Sequence, residues 1–183
     1  MSKTVLVPVA DGTEEIEAVT IIDVLRRAGA EVTVASVGDL QITASRGVKL
    51  VADTRITDCV DKTYDLVVLP GGIPGAEHLR DDETLKQILL RQQSQGRLFG
   101  AICAAPAVVL ETQGLLQGRA ATCHPNFVQR LSDPSAVRSD IVFDQGCITS
   151  RGPGTAMAFS LKLVELIFGK KKMEEVAEPM VIG

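Results

Sequence analysis

Tryptophan is missing from this 183-residue chain, tyrosine occurs once and histidine twice. With only five phenylalanines besides, the core must be built from aliphatic side chains, and recognition of nucleic-acid bases by aromatic stacking is not expected. An excess of positive charge is missing too: 19 Lys and Arg stand against 23 Asp and Glu, for a net charge of -4. The one dense basic run, Lys170, Lys171 and Lys172, is followed by Glu174 and Glu175, so nucleic acid is not an electrostatically favoured partner. None of the four cysteines, Cys59, Cys103, Cys123 and Cys147, forms a CxxC pair. Neither a disulfide framework nor a metal site is expected from that spacing. No apolar run approaches the roughly 18 residues of a membrane span, and the run at 5–10 is too short for a signal-peptide core. A cytoplasmic protein of one domain, residues 1–183, with no membrane partner is the expectation.

What is present is a regular alternation. Short apolar runs rich in β-branched residues at 5–9, 32–35, 66–69, 98–102 and 147–149 have the composition of strands buried on both faces. Segments of helical period lie between them. One covers 15–28, with Ile16, Val19, Ile22, Val24 and Leu25 assigned to its apolar side and Gly29 just beyond its end. Another covers 82–95 before Gly96, and a third starts near Gly154 and runs to Phe168. A further strand is expected at 120–122, a small hairpin around Ser45, Arg46 and Gly47, and a short tail around Pro179 that docks or frays. The pattern predicts an α/β fold, a doubly wound, mostly parallel sheet sandwiched by helices, with ligands at the carboxyl ends of the strands.

Several chemically capable residues fall at those strand ends. Cys103 sits where the run at 98–102 meets a helix start, among the small residues Gly100, Ala101, Ala104 and Ala105. A helix N-terminus favours negative charge and so favours thiolate, which makes Cys103 a candidate nucleophile; a buried structural cysteine is the alternative. After the first strand come Glu14, Glu15 and Glu17. Helix-dipole complementarity explains one or two of them, while Glu17, within the amphipathic segment, could face a cleft and shuttle a proton. Gly71 and Gly72 form either an ordinary tight turn or a loop whose N–H groups stabilise an oxyanion. His124 follows the expected strand at 120–122, as a site residue or a structural one, and residues 150–154 could form a cleft wall. His78 reads as a surface residue on a helix.

In order along the chain, GTEEIE at 12–17, RRAG at 26–29, ASR at 44–46, VLPGG at 68–72, AICAAP at 101–106, His124 with Pro125, and TSRGPG at 149–154 carry a resemblance over nearly the whole length. The sequence resembles the ThiJ/PfpI superfamily and, within it, the DJ-one branch in its bacterial form. That resemblance implies a flavodoxin-like fold, similar to class I glutamine amidotransferases. It implies that Cys103 is the functional centre, that Glu17 rather than Glu14 or Glu15 contacts its sulfur, and that the N–H groups of Gly72 and Ala104 form an oxyanion pocket. His124 then borders the pocket and Ser150, Gly152 and Pro153 form its wall. Arg27 and Arg46 match the dimer-interface region, implying a homodimer.

The activity so implied is a cofactor-independent attack of Cys103 on small reactive dicarbonyls or early glycation adducts, of glyoxalase or deglycase type, with a role in oxidative stress. The alternative is a redox sensor or chaperone in which Cys103 is oxidised to sulfinate. A cysteine peptidase is disfavoured because Ala104 stands where the peptidase branch has histidine. Cys123, where the branch has threonine, is either a resolving thiol or a passive substitution. A role in thiazole-phosphate metabolism finds no phosphate-binding motif to support it.

Overall fold

The computed structural model describes residues 2–182. Strands β1 (Thr4–Val9), β2 (Glu31–Ser36), β5 (Thr54–Arg55), β6 (Leu66–Leu69), β7 (Leu98–Ile102), β8 (Ile141–Asp144) and β9 (Cys147–Ser150) form one sheet in the order β5-β2-β1-β6-β7-β9-β8. All neighbours run parallel except the edge strand β8, which pairs antiparallel with β9. A separate antiparallel hairpin joins β3 (Gln41–Thr43) to β4 (Lys49–Val51), as the sequence around Ser45 predicts.

Successive strand residues point to opposite faces, and here both faces are covered. Val5, Val7, Val9, Leu66 and Val68 pack against Ile21 and Leu25 of α1 (Glu15–Arg27) and Phe159 and Leu163 of α4 (Ala156–Phe168). Leu6, Val67, Leu69 and Phe99 pack on the other side against Leu79 of α2 (Gly75–Asp81) and Leu85, Ile88 and Leu89 of α3 (Glu83–Ser94). This is the doubly wound, mostly parallel α/β sandwich predicted from the sequence.

Three details differ from the sequence reading. The apolar side assigned to α1 is rotated: Glu17, Ala18, Ile21, Val24 and Leu25 are buried, whereas Ile16 and Val19 face outward. Residues 120–122 are not a strand. Although they run beside β9, the Ala120 N–H donates to Asp144 Oδ2 at 2.9 Å and the Thr122 N–H to Thr149 Oγ1 at 2.9 Å, so side chains replace the ladder partners. The helix after Cys103 is wound as a π-helix over Pro106–Glu111. The tail forms α5 (Lys170–Ala177), which docks through buried Val176, with Met173 and Met180 packed on the same core. No helix among the described residues is long and apolar enough to cross a membrane.

Candidate active site

Cys103 stands just beyond β7 with φ +65°, a left-handed conformation that costs a non-glycine residue on the order of 1–3 kcal/mol. Its backbone is held in that bend from both sides. The Cys103 N–H donates to the Ser150 carbonyl at 3.0 Å, and its carbonyl accepts the His124 N–H at 2.8 Å. The thiol is therefore presented at the carboxyl end of the sheet, and it is the one cysteine of the four that is not fully buried.

Glu17 reaches the same place from the first turn of α1. Its side chain is fully buried, its Oε2 accepts the Gly71 N–H at 2.7 Å, and its Oε1 has no hydrogen-bond partner in the chain. Gly71 is the spacer that lets the two groups meet. A Cβ at that residue would lie 2.6 Å from Cys103 Cβ and 2.9 Å from Glu17 Oε2. Gly72, with φ +90°, is locked between neighbouring loops: a Cβ there would come within 2.5 Å of the Glu14 nitrogen. The Glu14 N–H donates to the Gly71 carbonyl at 2.9 Å, and the Ser45 N–H to the Thr13 carbonyl at 2.9 Å, tying the β1 loop, the β6 loop and the hairpin together.

The electrostatics follow from burial. Desolvation raises the Glu17 carboxyl to about 7; the Gly71 N–H and the Cys103 side chain oppose the rise, and the charge of Glu14 adds to it. Burial likewise pushes the Cys103 thiol up to about 12, reinforced by the charge of Glu17 and its hydrogen bond, against the N–H groups of Gly72 and Ala104. The helix N-terminus thus does not by itself make Cys103 a thiolate, contrary to the expectation from its place in the sequence. Two mutually repelling acids in a dry site titrate as a pair: one proton leaves first and the other is held far more tightly.

A cavity of about 240 Å³ opens over the sulfur, lined by Glu14, Ser45, Arg46, Gly72, Ile73, Cys103, Ala104, His124, Phe127 and Pro153. The His124 ring packs edge-on to Phe127 at 6.2 Å between centroids, and its Nδ1 accepts the Asn126 N–H at 3.2 Å. That bond leaves Nε2 to carry the hydrogen of the neutral ring.

Of the residues singled out from the sequence, Cys103, Gly72, Ala104, His124 and Pro153 line this cavity, and Glu17 lies buried beside the thiol. Gly152 is buried behind the wall, where a Cβ would stand 3.4 Å from the His124 ring. Ser150 is not on the wall. It is fully buried, its hydroxyl donates to the Asp140 carbonyl at 2.7 Å, and its carbonyl holds Cys103. Arg46 lines the mouth, whereas Arg27 lies on the outer face of α1, paired with Asp23 at 2.7 Å. Sequence reasoning missed Ile73, Phe127 and Ser45 as lining residues and Gly71 as the spacer. The glycine pair and the ASR run at 44–46 carried the only signals for any of them. Among the described residues, no group of three or more His, Cys, Asp or Glu side chains is placed to hold a metal ion.

A cysteine on a strained strand end, facing a buried glutamate at the carboxyl edge of a doubly wound sheet, defines a class of α/β proteins built around one cysteine at that edge. The model of the DJ-1/PfpI family matches residues 3–166, and the chain belongs to that family. It is 50% identical over 183 residues to Protein DJ-1 homolog B of Arabidopsis thaliana, covering 99% of this chain and 42% of that protein. The chain thus spans less than half the length of that relative. It is 34% identical over 184 residues to the glutathione-independent glyoxalase DJR-1.2 of Caenorhabditis elegans, covering 100% of this chain and 97% of that one. The solved structure of oxidized Toxoplasma gondii DJ-1 superposes with a TM-score of 0.96 at 45% identity, over 100% of both chains.

Proposed function

We propose that the chain is a cofactor-independent, cysteine-dependent enzyme that converts small reactive dicarbonyls, or early glycation adducts, to 2-hydroxy acids in the cytoplasm. The observation that carries this reading is the pairing of Cys103 with buried Glu17 across Gly71, under a cavity large enough for a small aldehyde. A thiol beside a carboxyl group can yield a thiolate while the carboxyl keeps the pair's remaining proton. The thiolate adds to the aldehyde carbon of methylglyoxal, and the N–H groups of Gly72 and Ala104 receive the developing oxyanion. Glu17 protonates that oxygen to give a hemithioacetal. The hydrogen on the former aldehyde carbon then leaves as a proton, giving an enediol, and the neighbouring carbon is protonated in its place. Water cleaves the resulting thioester, releasing lactate and returning the thiol. The name of the nematode relative, a glutathione-independent glyoxalase, supports the same chemistry.

The test is lactate production from methylglyoxal in glutathione-free buffer. Loss of turnover to background in Cys103→Ala is expected; a variant that keeps the wild-type rate overturns the proposal. A redox role is the second reading, favoured by the oxidized state of the Toxoplasma relative and by Cys103 being the one thiol within reach of solvent. Peroxide would convert its thiolate to sulfenate and then sulfinate.

We further propose that the chain acts as a homodimer. Ile16 and Val19 on α1 and Val48 and Val51 on the hairpin are exposed apolar residues on the two elements that carry Arg27 and Arg46.

A further inference from the structure

Glu17 has no proton path of its own to solvent. The side chain is fully buried; its Oε2 accepts the Gly71 N–H, which cannot take a proton, and the groups left to exchange one with it are the Cys103 thiol and the substrate. Turnover of a dicarbonyl nevertheless moves protons between substrate oxygens, carbon and water. A second path lies in the same cavity wall. Glu14, 8% exposed, lines the cavity, while Glu15, also 8% exposed, turns to the hairpin, where its Oε1 accepts the Arg46 N–H at 2.8 Å. Between them stands the Ser45 hydroxyl, 2.6 Å from Glu14 Oε2 and 2.9 Å from Glu15 Oε2. A hydroxyl has one hydrogen and two lone pairs. It cannot donate fully to both carboxyl groups, but it can donate to one while accepting a proton from the other.

We propose that Glu14, Ser45 and Glu15 form a proton relay, with Glu14 as a second acid–base residue of the cavity. The inference rests on the dicarbonyl reading above. Glu14 takes a proton from the water that attacks the thioester. Its Oε2 hydrogen passes to Ser45 Oγ as the Ser45 hydrogen passes to Glu15 Oε2, and solvent removes the proton from Glu15. In the relay step two hydrogens shift together and one net proton is carried from Glu14 to Glu15, with no electron transferred; the reverse sequence delivers a proton to the substrate. Glu15 suits the outer end of the chain. Burial raises its affinity for a proton, but hydrogen bonds from its own N–H, Ser45, Arg46 and Val48 outweigh that and hold the carboxyl below its ordinary range. A proton arriving there is readily given up. The hairpin turn that carries Ser45 is firmly seated, with the Gly47 N–H donating to the Ala44 carbonyl and the Ala44 N–H to the Val48 carbonyl.

The test compares wild type, Ser45→Ala and Ser45→Thr for methylglyoxal turnover in light and heavy water, with iodoacetamide alkylation of Cys103 followed in the same samples. Ser45→Ala is expected to lower kcat about tenfold and to change the solvent isotope effect, with KM and the alkylation rate unchanged; Ser45→Thr, which keeps the hydroxyl, is expected to restore kcat. A Ser45→Ala variant with wild-type kcat and isotope effect overturns the relay and leaves the proposed function standing. Loss of kcat and alkylation together, not rescued by threonine, assigns Ser45 a purely structural role and also overturns it. Absence of turnover in the wild type overturns the proposed function and the relay with it.

Discussion

Glu17 is the residue whose environment has the clearest measurable consequence. An unfolded glutamate releases its proton near 4.5, whereas burial raises the Glu17 carboxyl to about 7, so the folded Cys103–Glu17 pair keeps both of its protons until the pH nears that value. Between those values the unfolded chain binds fewer protons than the folded one, so raising the pH favours unfolding across that window. The contribution is present in full below pH 4.5 and is lost as the pH rises through 7, by about 3 kcal/mol for a shift of this size. Glu17→Gln removes the titrating group but keeps an acceptor for the Gly71 N–H. Urea unfolding from pH 4.5 to 8 is expected to show wild-type stability falling relative to Glu17→Gln; parallel profiles would contradict it. The geometry behind this is a single missing methyl group. At Gly71 a Cβ would collide with Cys103 and Glu17 together, so the proximity that couples the two acids depends on a residue with no side chain.

At the scale of elements, the sequence was legible wherever burial imposes a pattern. The strands at 5–9, 66–69 and 98–102 are sheathed by helices on both sides, so their unbroken apolar runs are a direct imprint of the sandwich. Residues 120–122 show where that logic stops. Their composition suits a strand, but Asp144 and Thr149 supply the hydrogen-bond partners from their side chains, and a local window contains neither residue. The misplaced face of α1 has a related cause. Glu17 occupies a buried position that a hydrophobic pattern assigns to an aliphatic side chain, while Ile16 and Val19, which the pattern draws inward, lie on the surface. Local consistency fails there because the helix serves a site. Ser45 was legible only as part of a turn: its hydroxyl acquires meaning once the hairpin folds back on Glu14 and Glu15, 30 or more residues away. Cys103 stood out from its setting at a strand end, but the direction of its acidity depended on its burial and then on Glu17, and could not be read from the segment alone.

On the scale of the whole molecule, the exposed apolar residues of α1 and the hairpin are where the proposed dimer would form, beside the site. Ile16 and Val19 are 56% and 47% exposed, and Val51 is 70% exposed, while Arg46 on the same hairpin lines the cavity mouth. Burying such side chains between two copies stabilises the dimer by roughly 25 cal/mol per Å² of apolar surface, and a charge placed among them opposes it. Sedimentation analysis is expected to show a wild-type dimer and a Val19→Asp, Val51→Asp double variant shifted to monomer; a monomeric wild type would contradict the proposed assembly. The whole fold also explains why one thiol is special. Sheet and helices bury Cys59, Cys123 and Cys147, and the loops at the carboxyl edge converge on Cys103 alone. We propose that the Cys103–Glu17 pair releases its first proton from sulfur, so that the thiolate works beside a protonated carboxyl group. The most direct measurement is the rate of Cys103 alkylation against pH, with the modified residue mapped by mass spectrometry. The expected result is a rate that rises well below the ordinary thiol range, because the carboxyl group keeps the pair's remaining proton. A rate that rises only as the pH approaches 12 would show that the first proton leaves Glu17 instead, and would contradict the account.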